Sequence, residues 1–524
     1  MYMEIEILII ILYLLLTLLI GYFSKSKNSS SAKSYLLANR NVGSLLIGGT
    51  IFATFWGGGT LMGGAGASFL SYNLGTLADP WASGITLILM ALFMTSILLK
   101  INIGTLGELY NLRFGKIGSY IASMLSIPTL IAWTTVQLVA IGKLLNLFIK
   151  INPIYSIIFA GMIVIIYTYM GGMKAVILTD NIQAIIIILG LLILIPTCIF
   201  YISNDVSFQN NNILYGNLKK SIFYIIENTP IDFWSLFPSS DPNHPSGIIW
   251  QEGIKGFLKW CSSIFGMGLG SLASLDISQR ILCAKNDIVA KKGLFIGTLL
   301  YWIAGLGPIF IGLLGILLCR IDLIDNYTLL NDPEIIVPYL AKKLLGPIPL
   351  SLFIGSIMAA VMSTSSSTIF ASAATITTSI FPGSTKDNID TIQSQKALKL
   401  TKFLVIIIGL FCVILGMVAP NLYNLMIFGF TLLFACLFWV LICGLFWNKA
   451  NTPGCIASMF TGLITSIFCC IYISYYCHSF IIIPIGMPLW DICFTFIPWI
   501  FSGISMFIIS LITQNKYPPK LLKY

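Results

Sequence analysis

Residues 51–70 read IFATFWGGGTLMGGAGASFL, a stretch apolar enough for a membrane interior but interrupted by Gly57, Gly58, Gly59, Gly63, Gly64 and Gly66. Glycine inside a helix costs about 1 kcal/mol relative to alanine, so a membrane helix is expected to unwind here. Unwound backbone at membrane depth is tolerated only where it is buried or lines a cavity. Its freed carbonyls are ready cation ligands. The competing reading is a small-residue face for close helix packing. The anomaly recurs in residues 262–280, SSIFGMGLGSLASLDISQR, where Gly266, Gly268 and Gly270 interrupt a second apolar run.

Around these two stretches the whole chain has membrane composition. Of 524 residues, 57% are hydrophobic and 9% charged, with a mean hydropathy of +0.93, whereas soluble domains carry roughly 25% charged residues. Windows of about 20 apolar residues suffice to cross the hydrocarbon core. About thirteen such windows run from 3–23 to 489–513, so an all-α polytopic membrane protein is expected. Each glycine-broken span opens a block of five. Five is odd, so the second block enters from the opposite side, which predicts a 5+5 inverted repeat with its site near the bilayer midplane.

The expected division is an N-terminal extra helix and loop (1–41), a first repeat (42–202), an external loop (203–249), a second repeat (250–446), and two C-terminal helices with a short tail (447–524). Most of the 29 Lys and Arg residues fall in loops that share one side when the N-terminus is outside and the C-terminus cytoplasmic. The net charge of +10 is therefore a topology signal in a plasma (inner) membrane protein and not a nucleic-acid footprint. The first segment lacks a basic n-region and a cleavage site, and reads as a retained helix. The twelve cysteines fall mostly inside spans and read as packing residues. Both histidines, His244 and His478, fall in expected external loops, which argues against a histidine metal site or proton relay.

The stretch from Ile354 to Ser379, IGSIMAAVMSTSSSTIFASAATITTS, is apolar yet dense in hydroxyls. On a helix Ser363, Ser366 and Ser367 share one face. Uncharged oxygens suit a weakly hydrated monovalent cation; the alternative is close packing with hydroxyls bonded back to their own helix. Asp180 lies on the inner part of an expected span, where a carboxylate costs about 2.5–3.5 kcal/mol and marks function, unless it is a helix N-cap. Trp133 and Gln137 are i, i+4 neighbours, and Gln137 bonds either another helix or a solute. Asp79, Pro80 and Trp81 read as an interfacial cap with an aromatic anchor.

These residues carry a family resemblance. SYLLANR (34–40), ATFWGGGTLMGG (53–64), GELYNLRFGK (107–116), GGMKAVILTDNIQ (171–183), SQRILCAKN (278–286) and AAVMSTSSS (359–367), in this order, resemble the sodium:solute symporter family with its leucine-transporter-type core. The resemblance implies a sodium site built from the carbonyls of Gly59, Met62 and Ala360 and the hydroxyls of Ser363 and Thr364. It implies a second sodium site at Asp180, Ser363, Ser366 and Ser367. Two sodium ions per cycle would supply roughly 7 kcal/mol, about a 10⁵-fold limit on accumulation.

The solute is expected among Phe55, Trp56, Thr60, Trp133, Gln137 and Ser274. Within the family, ATFWGGG and YNLMIFGFTL (423–432) are most similar to the high-affinity choline transporters. Choline needs an aromatic cage, and only Phe55 keeps a cage position; the others fall on Ile85, Val136 and Ser274. Choline, another small amino acid, a carboxylate or a vitamin-like solute all stay open. The expectation is a sodium-coupled importer of a small organic solute, acting as a monomer, with no cofactor besides the coupling ion. A symporter-like sensor would need an appended effector beyond NKYPPKLLKY, a channel would lack saturable coupling, and an enzyme would need a nucleophile or ligand cluster that the chain does not display.

Overall fold

The structure, a computed structural model, describes residue 19 and residues 32–71, 79–209, 254–320, 323–385, 391–418, 422–476 and 490–522. The expected first span apart from residue 19, the loop over 210–249 and both histidines lie outside them. Among the described residues the regular elements are helical, apart from one parallel bridge between Val42 and Ala284.

The first repeat opens with α1 (Ser44–Phe55), which bends by 58° into a second segment over Gly59–Leu70 that includes α2 (Gly64–Ser71). It continues through α3 (Trp81–Ile101), α4 (Leu106–Ile149) and α5 (Pro153–Gln209). α5 holds two spans, Pro153–Met170 and Gly172–Ile202, that part at Gly172. Glycine is needed there: its φ is 61°, and an added Cβ would lie 2.6 Å from the ring of Tyr35.

The second repeat runs α6 (Ile254–Ser271), α7 (Leu275–Leu282), α8 (Asp287–Arg320), α9 (Pro347–Ile380), α10 (Thr391–Gly416) and α11 (Leu422–Phe446). α12 (Thr452–Tyr476) and α13 (Trp490–Ile512) pack on its flank. Among the described residues ten helices, and the bent α1–α2 pair, are long and apolar enough to span. With the broken α6–α7 pair they account for all the expected spans except the first.

The first break falls within its glycine run. Trp56 is extended (φ −82°, ψ 92°), and residues 59–63 form one π-helical turn. The second differs from expectation: Gly266, Gly268 and Gly270 stay helical, and the chain opens after them, over 272–274, before α7 begins. These glycines serve close packing instead. A Cβ on Gly268 would lie 3.1 Å from Ala82, and one on Gly266 would lie 2.6 Å from Thr431 Oγ1.

α9 runs through the centre, packed against α4 and α5 and buried along most of its length. Small residues allow that approach, and most of its hydroxyls are absorbed locally. Ser365 donates to Val361 O (2.7 Å), Thr368 to Thr364 O (2.9 Å) and Ser372 to Thr368 O (2.9 Å). Further along, Thr378 bonds Thr105 (2.6 Å) and Ser379 bonds Ser123 (2.8 Å) on α4.

Candidate functional site

A helix leaves its last carbonyls without intrahelical donors, and α1 ends against the middle of α9. Ser363 Oγ donates to Ala53 O at 2.9 Å. Thr364 Oγ1 lies 3.3 Å from Ala53 O, 3.3 Å from Trp56 O and 3.1 Å from Ala360 O. Three carbonyls and two hydroxyls, all on buried residues, thus converge without a charge. Oxygens about 2.4 Å from a cation in near-octahedral array sit about 3.4 Å apart. A small outward shift of the two hydroxyls would therefore turn this cradle into a coordination shell.

Of the five oxygens expected at one sodium site, those of Ala360, Ser363 and Thr364 meet here, whereas among the described residues no hydrogen bond joins Ser363 or Thr364 to the carbonyls of Gly59 and Met62. The Gly59 carbonyl accepts from Gly64 N at the end of the π-helical turn, and a Cβ on Gly59 would lie 3.2 Å from Trp133 and Val136 and 3.1 Å from Met426. Met62 lies beyond it in the π-helical turn. The carbonyls that take their place lie six residues earlier in each case, on Ala53 and Trp56. Counting back from the break, where helical donors run out, would have found them.

Asp180 is fully buried beside the cradle. Its Oδ1 accepts from Ser363 (3.0 Å) and its Oδ2 from Thr50 (2.5 Å), and Oδ2 also pairs with Arg280 Nη2 (3.2 Å). Arg280 is equally buried, and donates further to Ser367 Oγ, to Thr50 Oγ1 (3.0 Å) and to Asp276 O (2.8 Å). Asp180, Ser363 and Ser367 are thus brought together, with a guanidinium among them. Ser366 is not: its hydroxyl bonds back to Ser363 O at 2.9 Å. Arg280 lies in SQRILCAKN and Thr50 in none of the motifs, and neither was marked as a site residue, because their meeting with Asp180 depends on how α1, α5 and α7 come together.

Five of the six residues expected to meet the solute gather at the first break. Gln137 Oε1 accepts from Gly58 N (2.6 Å), and an added Cβ at Gly57 would lie 2.5 Å from that side-chain oxygen. Trp133 packs edge-on to Phe430, while Phe55 and Trp56 pack on Tyr301. Three buried donors here have no partner: Trp56 Nε1, Trp133 Nε1 and Gln137 Nε2. Ser274 is turned elsewhere, its hydroxyl donating to Asp276 on the Arg280 side. Ile85, a position compared with a cage residue, is 47% exposed and outside the group, whereas Val136 reaches Gly59.

Asp79 is not an interfacial cap. It is 3% exposed, and its carboxylate accepts from Thr60 (2.7 Å), Ser83 (2.7 Å) and Tyr301 (2.6 and 2.5 Å). Thr60 and Tyr301 lie in the middle of their spans, so Asp79 is at membrane depth although it stands just before the first residue of α3. Close contact of α3 with α8 brings it there, with Gly84 under Trp302 and Gly305 under Pro80.

A helical membrane core with two breaks and a central hydroxyl-rich helix has known counterparts, and residues 35–462 match the Sodium:solute symporter family (SSF). The chain belongs to this family. The symporter is 27% identical over 439 residues to a sodium/pantothenate symporter of Haemophilus influenzae, covering 82% of each chain. It is 24% identical over 467 residues to the human high affinity choline transporter 1, covering 86% of this chain and 74% of that protein. In three dimensions it is similar to a Na+-coupled sialic acid symporter in a substrate-bound outward-open state, with a TM-score of 0.75, 18% identity and 99% of both chains covered. The symporter is thus a multi-pass, sodium-coupled transporter with a leucine-transporter-type core.

Proposed function

We propose that this symporter imports a small organic solute by alternating access, with sodium held by the carbonyls of Ala53, Trp56 and Ala360 and the hydroxyls of Ser363 and Thr364. The observation that carries the reading is the reach of Thr364 Oγ1 across to Ala53 O and Trp56 O. An ion there would tie the broken helix to α9, and its loss would free the two to separate. The solute sits at the break, among Phe55, Trp56, Thr60, Trp133 and Gln137. The three unpartnered donors favour a solute that presents hydrogen-bond acceptors, since a buried donor left unmade costs about 1–3 kcal/mol.

The same reading places the N-terminus outside and the C-terminus in the cytoplasm, keeps the five-part division of the chain, and needs one copy of the chain with no cofactor and no catalysis. Uptake into proteoliposomes, screened over zwitterionic, anionic and quaternary-ammonium solutes with sodium or potassium outside, tests it. Saturable uptake that needs inward sodium is the expected result. Sodium current without saturable solute flux would overturn it in favour of a channel.

A further inference from the structure

Two carboxylates lie buried at membrane depth beside the first break, and they are treated differently. Asp180 has its positive charge built in, as the Arg280 guanidinium at 3.2 Å. Asp79 has none: among the described residues no lysine or arginine pairs with it, and its partners are the hydroxyls of Thr60, Ser83 and Tyr301. Three hydroxyls satisfy the hydrogen bonding of the carboxyl, but its ionised form has no counter-charge among these partners. In a low-dielectric interior that imbalance is far more costly than a missing hydrogen bond.

The surroundings of Asp79 supply what a mobile cation needs. Thr60 Oγ1 lies 3.2 Å from Tyr301 Oη and 3.2 Å from Phe55 O. Both carboxylate oxygens, three hydroxyl oxygens and one carbonyl therefore converge from α1, the π-helical turn, the start of α3 and α8. These are hard oxygens with a single negative charge and no sulfur or nitrogen among them, a set suited to an alkali cation. Phe55 and Trp56 are consecutive, yet the carbonyl of Phe55 accepts from Thr60 while that of Trp56 lies by Thr364. The break in α1 thus offers adjacent carbonyls to two different sites.

We infer that Asp79, Thr60, Ser83, Tyr301 and the carbonyl of Phe55 form a second cation centre, and that the second coupling sodium binds there. At Asp180 the cation is Arg280. The inference rests on the sodium coupling proposed above for the identity of the ion, and concerns a separate set of residues.

The test needs no knowledge of the solute. The full-length purified symporter is melted over a titration of sodium chloride against N-methylglucamine chloride at constant ionic strength. The wild type is expected to show sodium stabilisation with two components. The double variant Ser363→Ala, Thr364→Ala should keep one component, Asp79→Asn should keep the other, and the triple variant should keep neither. Tyr301→Phe, which leaves the carboxylate and the ring in place, should weaken the Asp79 component about tenfold, and it serves if Asp79→Asn fails to fold. A wild-type sodium titration in both Asp79→Asn and Tyr301→Phe would overturn the centre. A wild-type titration in the Ser363→Ala, Thr364→Ala protein would overturn the first cradle instead.

Discussion

Replacing Ser363 by alanine tests the first cradle most directly, because this hydroxyl has two distinct duties. It supplies one of five oxygens to the cradle, and it lies 2.9 Å from Ala53 O and 3.0 Å from Asp180 Oδ1. Its loss removes one oxygen of the cradle and leaves the pair of buried acceptors that share its single proton, Ala53 O and Asp180 Oδ1, one donor short. A buried polar group left unsatisfied costs about 1–3 kcal/mol, and 1.4 kcal/mol is a factor of ten in affinity. The sodium concentration for half-maximal effect is therefore expected to rise about 10- to 100-fold. Ser367 provides the control, since its hydroxyl meets Arg280 Nη2 and no cradle carbonyl. Ser367→Ala leaves the guanidinium its bonds to Asp180, Thr50 and Asp276, and should shift the sodium requirement less than Ser363→Ala does. Sodium titration of both uptake and melting temperature measures the two variants in one assay. If Ser367→Ala impairs sodium activation as much as Ser363→Ala, the ion sits beside Asp180, and the reasoning fails.

Two further perturbations probe the scaffold around the site. Asp180→Asn leaves Arg280 buried without its counter-charge and should destabilise the protein by about 3–5 kcal/mol. Adding Arg280→Gln should cost less than the sum of the single changes, a non-additivity that a double-mutant melting cycle reads directly. Gly58→Ala would drive a methyl into Ala140 on α4. Overpacking of that kind costs about 1–3 kcal/mol, so uptake should fall about tenfold and recover in part when Ala140→Gly is added; no recovery would mean that Gly58 matters for its backbone alone.

Some of this was legible in residue types alone. A long apolar chain with few charges can only be a membrane protein, and helices are the economical way to satisfy its backbone there. Glycine destabilises a helix wherever it stands, so the bend after Phe55 was visible as Gly57–Gly59. Ser365, Thr368 and Ser372 bond within their own helix, one of the two readings their residue types allowed, because that geometry is local. Gly266, Gly268 and Gly270 show the limit of the same rule: close neighbours on α3 and α11 hold that segment helical and move the opening to residues 272–274.

What only the tertiary structure decided is which distant groups share a point in space. The carbonyls facing Thr364 are those of Ala53 and Trp56, at the end of α1, where the helix bends by 58°. Arg280 on α7 meets Asp180 on α5 although the two are 100 residues apart in the chain. Asp79, next to a proline at the head of a span, has the local signature of a cap; close packing of α3 on α8 draws it to membrane depth, under Tyr301. Composition and periodicity report the environment of each residue in turn. Rotation and depth of one helix against another are set by packing, and they determine where the charges meet.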